Sequence, residues 1–305
     1  MPKKMIIFSF IVVMFLTLFS YRFIGKILGE EEHKITNINI YKDTPAWNLA
    51  LAVSDQNIKV IEKIAKKEPY LLNYQDPKYG ATLLFWAVGM EKYESAEALL
   101  KCGANPNIQV INYYGETPLF RASGYSFIDN DAKKDPKYVK LLLKYGADPN
   151  INYIGSDSTV IEPGTSPLMK SIGNSIEKTK ALVEAGADIN YKTKRGKTAA
   201  IESLIANAPE YARYLIVEKK AKVSDPYFRR ENLGDEGPNE KLFPVRILRS
   251  WVFDLGSAEH KMKMEIVEEF ARQGVNYWDT QIDQYTLDYI QKRYPDTWKE
   301  YTKKF

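Results

Sequence analysis

The sequence has very few residues of the types that build metal centres and nucleophilic sites. Its 305 residues include one cysteine, Cys102, and two histidines, His33 and His260. A single cysteine cannot form an intramolecular disulfide, and it cannot build a cysteine-based metal site. The HExxH, GxSxG and phosphate-loop motifs are also missing from the sequence. We therefore predict no catalytic, cofactor-binding or metal-binding residues, and we expect a protein that is not an enzyme.

A strong charge of one sign is missing as well. The chain has 43 basic and 39 acidic residues, which leaves a net charge of +4. Nucleic-acid-binding proteins usually carry a concentrated basic stripe, so we expect no nucleic-acid partner. With 45% hydrophobic and 27% charged residues, the composition is that of an ordinary folded protein and excludes disorder throughout.

A long hydrophobic run follows Lys3 and Lys4 at the start of the chain. Residues 5–21 are uncharged and strongly apolar. At about 1.5 Å per residue, a helix over residues 5–24 comes close to spanning a hydrocarbon core about 30 Å thick. Because no A-x-A-like cleavage site follows the run, residues 1–25 are predicted to be an uncleaved transmembrane anchor. A cleaved signal peptide and a buried helix are the alternatives.

The short basic start resembles an export signal. We therefore expect a single-pass protein of the inner membrane whose folded part faces the periplasm, or a soluble periplasmic protein if the segment is cleaved. Residues 26–42 are polar and charged without a clear period, which is typical of a tether. The folded body is predicted to begin near Asp43.

The body contains two short patterns that recur in the same order. One pattern consists of an apolar run, a glycine and a polar tail. It occurs in ALLKCGANPN (98–107), LLLKYGADPN (141–150) and ALVEAGADIN (181–190). The other begins with a glycine and a threonine or serine, in YGATLLFWA (79–87), YGETPLFRA (114–122), PGTSPLMKS (163–171) and RGKTAAIES (195–203). Recurrence at a fixed period indicates a repeat protein.

Each pattern has a physical reason. A threonine or serine side chain can cap a helix whose first-turn proline has no amide to satisfy, as in Thr117-Pro118 and Ser166-Pro167. A glycine can adopt the left-handed conformation that ends a helix, which predicts helix ends at Gly103, Gly146 and Gly186. One period therefore encodes a turn, a helix, a short loop and a second helix.

The segments GETPLFRA and VKLLLKYGADPN resemble the ankyrin repeat, whose pattern includes T-P-L-H-x-A at a period of about 33 residues. The resemblance covers most of residues 78–221 and implies an all-α solenoid of helix-turn-helix units with β-hairpin-like finger loops. In this sequence the family's histidine is replaced by Phe85, Phe120, Met169 and Ile201. Packing must therefore substitute for the polar contact of that histidine.

The repeat region is predicted to span residues 43–225 and to begin with a degenerate first repeat, and with the divergent repeat that follows it the stack has about six units. Residues 226–305 are interpreted as a divergent repeat followed by capping helices, because a stack of repeats needs atypical ends. An unrelated small helical domain is the alternative for this region.

The resemblance also implies that the finger tips and the faces of the first helices form a concave protein-binding surface. The tips carry several tyrosines, a residue type enriched at interfaces, and one basic tip has the sequence YKTKRGK. The predicted partner-binding residues are Tyr79, Trp86, Tyr113, Tyr114, Phe120, Tyr153, Tyr191, Lys192, Lys194 and Arg195, and Tyr74 lies on a tip as well. The alternatives are that the rings cover neighbouring repeats and that the charges form a solvated loop.

These features favour a protein that works by stoichiometric binding, as a monomer or in a one-to-one heterocomplex. Small exported ankyrin proteins of bacteria resemble immunity proteins, which neutralise antibacterial toxins such as the phospholipase effectors of type VI secretion. The alternatives are an envelope scaffold without an inhibitory role, and a toxin or enzyme with an unfamiliar site in residues 226–305.

Overall fold

The computed structural model describes residues 35–112, 115–125, 135–158, 161–229 and 240–305. The predicted anchor, residues 1–25, and residues 26–34 of the predicted tether lie outside this part of the chain. Among the described residues, no helix is both long enough and apolar enough to cross a bilayer.

The described chain folds into successive helix pairs, which we number as units 1 to 6. Units 1 to 3 are α1 (Trp47–Ser54) with α2 (Ile58–Lys67), α3 (Leu83–Gly89) with α4 (Tyr93–Lys101), and α5 (Pro118–Ser123) with α6 (Lys137–Lys144). Units 4 and 5 are α7 (Pro167–Ser171) with α8 (Ile176–Glu184), and α9 (Ala199–Ile205) with α10 (Pro209–Ala212), which continues as a π-helical turn over Arg213–Glu218. Unit 6 is α11 (Pro244–Ser250) with α12 (Ala258–Arg272), and it is followed by α13 (Gln284–Arg293) and α14 (Trp298–Tyr301).

Short elements complete the stack. Two 3-10 turns cover Ile38–Tyr41 and Pro69–Asn73. Strand β1 (Tyr227–Arg229) pairs antiparallel with strand β2 (Glu240–Leu242), with Tyr227 opposite Leu242.

The helix pairs pack side by side as a solenoid. The first helix of each unit contacts the first helix of the next, and the second helices do the same along a parallel row. The last contacts in these rows are between α9 and α11 and between α10 and α12. The prediction of a helical repeat solenoid is confirmed, and residues 244–272 continue the stack as a further unit.

The first helices begin where capping residues occur in the sequence. The hydroxyl of Thr117 accepts the amide of Phe120 at 3.0 Å, and the hydroxyl of Ser166 accepts the amide of Met169 at 3.1 Å. Equivalent caps are made by Thr82 and Thr198. The residues that replace the family's histidine are all buried: Phe85, Phe120, Met169 and Ile201. Apolar packing thus occupies the position of the missing polar contact.

Equivalent asparagines join each unit to the next. The side-chain amide of Asn150 donates to the carbonyl of Gly186 at 3.1 Å, and its oxygen accepts the amide of Asp188 at 2.8 Å. Similar bonds to the following unit are made by Asn73, Asn107 and Asn190. These bonds set the spacing of the units on the side where each second helix ends.

We expect Asn150→Ala to lower the free energy of unfolding by about 1–2 kcal/mol, because two hydrogen bonds between units are lost. The matched control is Asn105→Ala, since the Asn105 side chain accepts only the amide of Asn107 within its own turn. Urea unfolding followed by circular dichroism measures both variants. Equal losses would show that the bonds between units contribute no more than a local turn.

The predicted tether needs a correction at its end. Ile35 and Tyr41 are buried, with 6% and 0% of their surface exposed. The hydroxyl of Tyr41 donates to the carbonyl of Ala81 at 2.9 Å. The packed body therefore includes residues 35–42, and its start is not at Asp43, because the isoleucines of this segment find apolar partners in units 1 and 2.

Candidate functional site

The connections between units fold as hairpin-like fingers. Over the described residues, fingers 1 to 5 are residues 74–82, 108–112 with 115–116, 151–158 with 161–166, 191–198, and 224–229 with 240–243. Finger 2 is closed by a bond of 2.9 Å from the Val110 amide to the Glu116 carbonyl, and finger 4 by one of 2.9 Å from the Thr193 amide to the Lys197 carbonyl. In finger 3, the Tyr153 amide donates to the Thr165 carbonyl at 2.9 Å. Most fingers thus have a hairpin-like backbone without extended strands.

Hydrogen bonds also run from finger to finger. The Ile154 amide donates to the Gly115 carbonyl at 3.1 Å, and the Phe228 amide donates to the Arg195 carbonyl at 2.8 Å. The Gln75 side-chain amide donates to the carbonyl of Gln109 at 3.1 Å. We call fingers 1 to 5 the finger row. Because its members are bonded to one another, the row presents its tips in fixed relative positions.

Several aromatic residues predicted to bind a partner are instead packed inside the protein. Tyr79, Trp86, Phe120 and Tyr153 have 1%, 5%, 0% and 7% of their surface exposed. The rings of Phe120 and Tyr153 stack with centroids 5.6 Å apart. For these four residues the alternative interpretation applies, because each ring fills space between a first helix and its neighbours. In this fold the four rings are therefore not exposed, and a role of theirs in partner binding stays a prediction.

The other predicted tyrosines differ in their placement. Tyr74 and Tyr191 are half-buried and pack against the main core. Tyr113 and Tyr114 lie outside the described residues, between Asn112 and Gly115. Their role as partner-binding residues stays a prediction.

Most of the charges on the basic tip are offset by carboxylates. Lys192 is paired with Asp225. Arg195 is 2.6 Å from Glu162 and 3.2 Å from Asp157. Although burial opposes its charge, hydrogen bonds to these two carboxylates raise the pKa of Arg195. Lys197 also forms a pair, 3.1 Å from Glu202. Finger 4 therefore is not a concentrated basic patch.

Lys194 is exposed and forms no ion pair among the described residues. In the predicted basic set, its charge is the one that no carboxylate of the described residues offsets.

The finger row exposes apolar side chains that were not predicted from the sequence. Ile111, Ile154 and Phe228 have 65%, 58% and 38% of their surface exposed. Each lies next to a buried residue, as Ile111 does beside Val110, which is 0% exposed. Alternation of buried and exposed residues is typical of a strand-like finger. In the sequence, this alternation is the signal for the exposed residues Ile111, Ile154 and Phe228.

We call the face of the first helices that carries Arg121, Lys170 and Glu202, each four residues after its helix cap, the inner side; all three residues are half-exposed. Arg121 is 3.8 Å from Glu116, a buried carboxylate, and Lys170 lies nearby. Burial raises the pKa of Glu116, although the charges of Arg121 and Lys170 oppose that shift. Within the described part of the chain, no group of three metal-ligating residues is assembled. The surface has shape, charge and exposed apolar groups suited to binding.

Comparison with known proteins places the repeats in context. A family model described as "Ankyrin repeats (3 copies)" matches residues 49–153 and 131–226. The chain is 26% identical to Ankyrin repeat and SOCS box protein 6 of Homo sapiens and of Pongo abelii over 166 residues, which is 54% of this chain and 35% of each relative. The protein of the same name from Mus musculus is 26% identical over 154 residues, covering 50% of this chain and 33% of the relative. The aligned part thus spans about a third of the length of these relatives.

Proposed function

Because the chain belongs to the ankyrin-repeat family, we propose that it is a binding module that holds a protein partner across the finger row and the inner side of units 3 to 5. The ankyrin repeat is a non-catalytic binding module, which is consistent with a protein that is not an enzyme. The partner's identity and the biological outcome of binding are part of the proposal.

The observation that carries this proposal is the exposure of apolar side chains on successive fingers. Ile111 and Ile154 lie on neighbouring fingers that share a main-chain hydrogen bond. Exposed apolar residues held in fixed positions and rimmed by polar groups are typical of protein interaction sites. Charged residues are also available, on finger 4 as Lys194 and on the first helices as Arg121 and Lys170.

We expect Ile111→Asp combined with Ile154→Asp to weaken partner binding by at least about tenfold, because both apolar contacts are replaced by charges that lose hydration on binding. The partner would be identified by a pull-down with mass spectrometry, and its affinity measured by calorimetry. Tyr70→Asp is the control, since Tyr70 is 63% exposed and follows the second helix of unit 1. Equal affinities for the double variant and the control would exclude the finger tips as the contact.

Tyr113→Ala with Tyr114→Ala is expected to weaken the same complex without unfolding the stack, as their place at the tip of finger 2 in the sequence suggests. Unchanged affinity together with a strong effect of Ile111→Asp would confine the contact to the isoleucine side of that tip.

A finer proposal is that binding neutralises a toxin. The apolar run at residues 5–24 and the compact repeat body support an immunity protein held at the inner membrane and facing the periplasm, with a secreted antibacterial phospholipase as one possible kind of target. An envelope scaffold without an inhibitory role is the second candidate. An inhibitor should form a tight one-to-one complex that abolishes the toxin's activity, whereas a scaffold should bind several components weakly and protect no cell.

A further inference from the structure

Residues 35–41, which we call the N-terminal strap, lie across finger 1 and the first helix of unit 2. The indole N–H of Trp86 donates to the main-chain oxygen of Thr36 at 3.0 Å. The hydroxyl of Tyr41 donates to the carbonyl of Ala81 at 2.9 Å. Ile35 packs in a small apolar cluster formed with Tyr79, Ala81, Phe85 and Val110.

The position of Trp86 within its unit shows what the strap covers. Counted from the capping threonine or serine, Trp86 is equivalent to Arg121, Lys170 and Glu202 of the next three units. Those three residues are charged and half-exposed, whereas Trp86 is only 5% exposed. Unit 2 thus carries a buried indole at the position where the next three units carry half-exposed charges, and the strap supplies the acceptor for its N–H.

The strap contacts the stack with alternate residues. Ile35 and Tyr41 are buried, and Asn37 and Asn39 are exposed. Ile38 and Ile40 are half-buried and pack against the core as well. The strap is thus a short unit held by apolar side chains and by the hydrogen bonds of Thr36 and Tyr41, and such a unit can open separately from the later units. Tyr41 belongs to the main core, so it would stay in place while the preceding residues of the strap separate from the stack.

We propose that the strap occupies a peptide-binding groove of units 1 and 2, and that a partner segment with a similar short helical-turn backbone and isoleucine or valine side chains takes its place. The inference rests on the proposed function. It adds a second region that contacts the partner, and it makes the strap a competitor of the partner for that region. The strap shows how such a segment would bind. Ile35 lies in the apolar cluster, and the main-chain oxygen of Thr36 accepts the indole N–H of Trp86. Tryptophan and tyrosine in such a groove are residues that commonly dominate binding energy.

Hydrogen exchange on the full chain tests whether the strap can leave. Ile35→Asp places a charge in the apolar cluster, and we expect exchange in residues 82–88 to become about tenfold faster while the later units stay protected. Asn37→Asp is the matched control, because it adds the same charge at an exposed position of the same strap. Equal exchange in the two variants, or loss of protection throughout units 1 to 6, would overturn the proposal.

A second arm uses a fluorescent synthetic peptide of residues 33–40 as the probe. It should bind the Ile35→Asp chain about tenfold more tightly than the unaltered chain, since the groove is then vacant. Trp86→Phe keeps an aromatic ring and removes the N–H donor, so it should weaken peptide binding while circular dichroism shows that the stack stays folded. If the peptide binds all chains equally or none, the groove is not a site. These measurements do not involve Ile111 or Ile154, so their failure leaves the finger-row proposal standing.

Discussion

Replacing Gly115 by alanine should lower the free energy of unfolding by more than about 3 kcal/mol, the largest loss we expect for so small a change. Gly115 has a φ of +62°. A Cβ atom at this position would lie 2.1 Å from the amide nitrogen of Gly155 and 2.7 Å from its Cα. Since the obstacle is main chain, no rotamer change can relieve the clash, and fingers 2 and 3 must move apart.

The matched control for this substitution is Gly146→Ala. Gly146 also has a positive φ, +84°, but nothing lies within 4 Å of the position of an added Cβ. It should therefore lose only about 1 kcal/mol, which is the conformational cost of an alanine in the left-handed region. Urea unfolding of both variants measures the difference, and hydrogen exchange at Ile154 reports directly on its bond to Gly115. Similar losses in the two variants would mean that fingers 2 and 3 are not in close contact.

Stability should rise as the pH is raised from about 6 towards 10, and Lys263→Met should remove most of that rise. The Lys263 side chain is 0% exposed. Its Nζ donates to the Trp251 carbonyl at 2.6 Å and lies 4.0 Å from the ring centroid of Phe305. Burial, together with a smaller contribution from the nearby charge of Arg249, lowers the pKa of Lys263 to about 6.

The sign follows from the proton balance between the folded and unfolded chains. The unfolded lysine keeps its proton up to a pKa of about 10.4, whereas the folded one releases it near pH 6. Between these values the unfolded chain binds more protons, so each unit of rising pH stabilises the fold by up to about 1.4 kcal/mol. Below pH 6 both states are protonated, and this contribution stays at its least favourable level.

Chemical denaturation at a series of pH values between about 6 and 9 measures the slope. Lys261→Met is the control, because Lys261 lies on the same helix, α12, with its side chain exposed. The control should keep the slope of the unaltered chain, and Lys263→Met should flatten it. If both variants keep the slope, Lys263 remains charged in the folded protein and the pH dependence comes from other groups.

The repeat pattern was predictable because its signals are local. Thr117 and Ser166 cap helices within three residues of themselves, and Gly146 ends a helix beside it. Such interactions depend on a few neighbouring residues, so a short pattern in the sequence identifies them. The helix starts and the order of the units were therefore correct before any packing was known.

The binding surface was predicted less well because exposure depends on distant residues. Trp86 bonds to a residue 50 positions away, and Tyr41 to one 40 positions away. Arg195 meets carboxylates of finger 3, and Tyr153 stacks on a helix that begins long before it in the chain. From residue type alone, Trp86, Phe120 and Tyr153 were predicted to lie on the binding surface, whereas in the fold all three side chains are buried.

The amino-acid sequence was sufficient to identify a helical repeat protein, its register and its family, because capping, helix termination and periodicity act over a single unit. Which finger residues meet solvent became known only when the units were stacked, since neighbouring fingers and the strap bury some rings and leave others free. In the stacked units the ring of Tyr79, which was predicted to bind a partner, is buried. Ile111, which was not predicted from the sequence, is exposed. The exposed apolar finger tips and the strap-covered groove are both products of contacts between units.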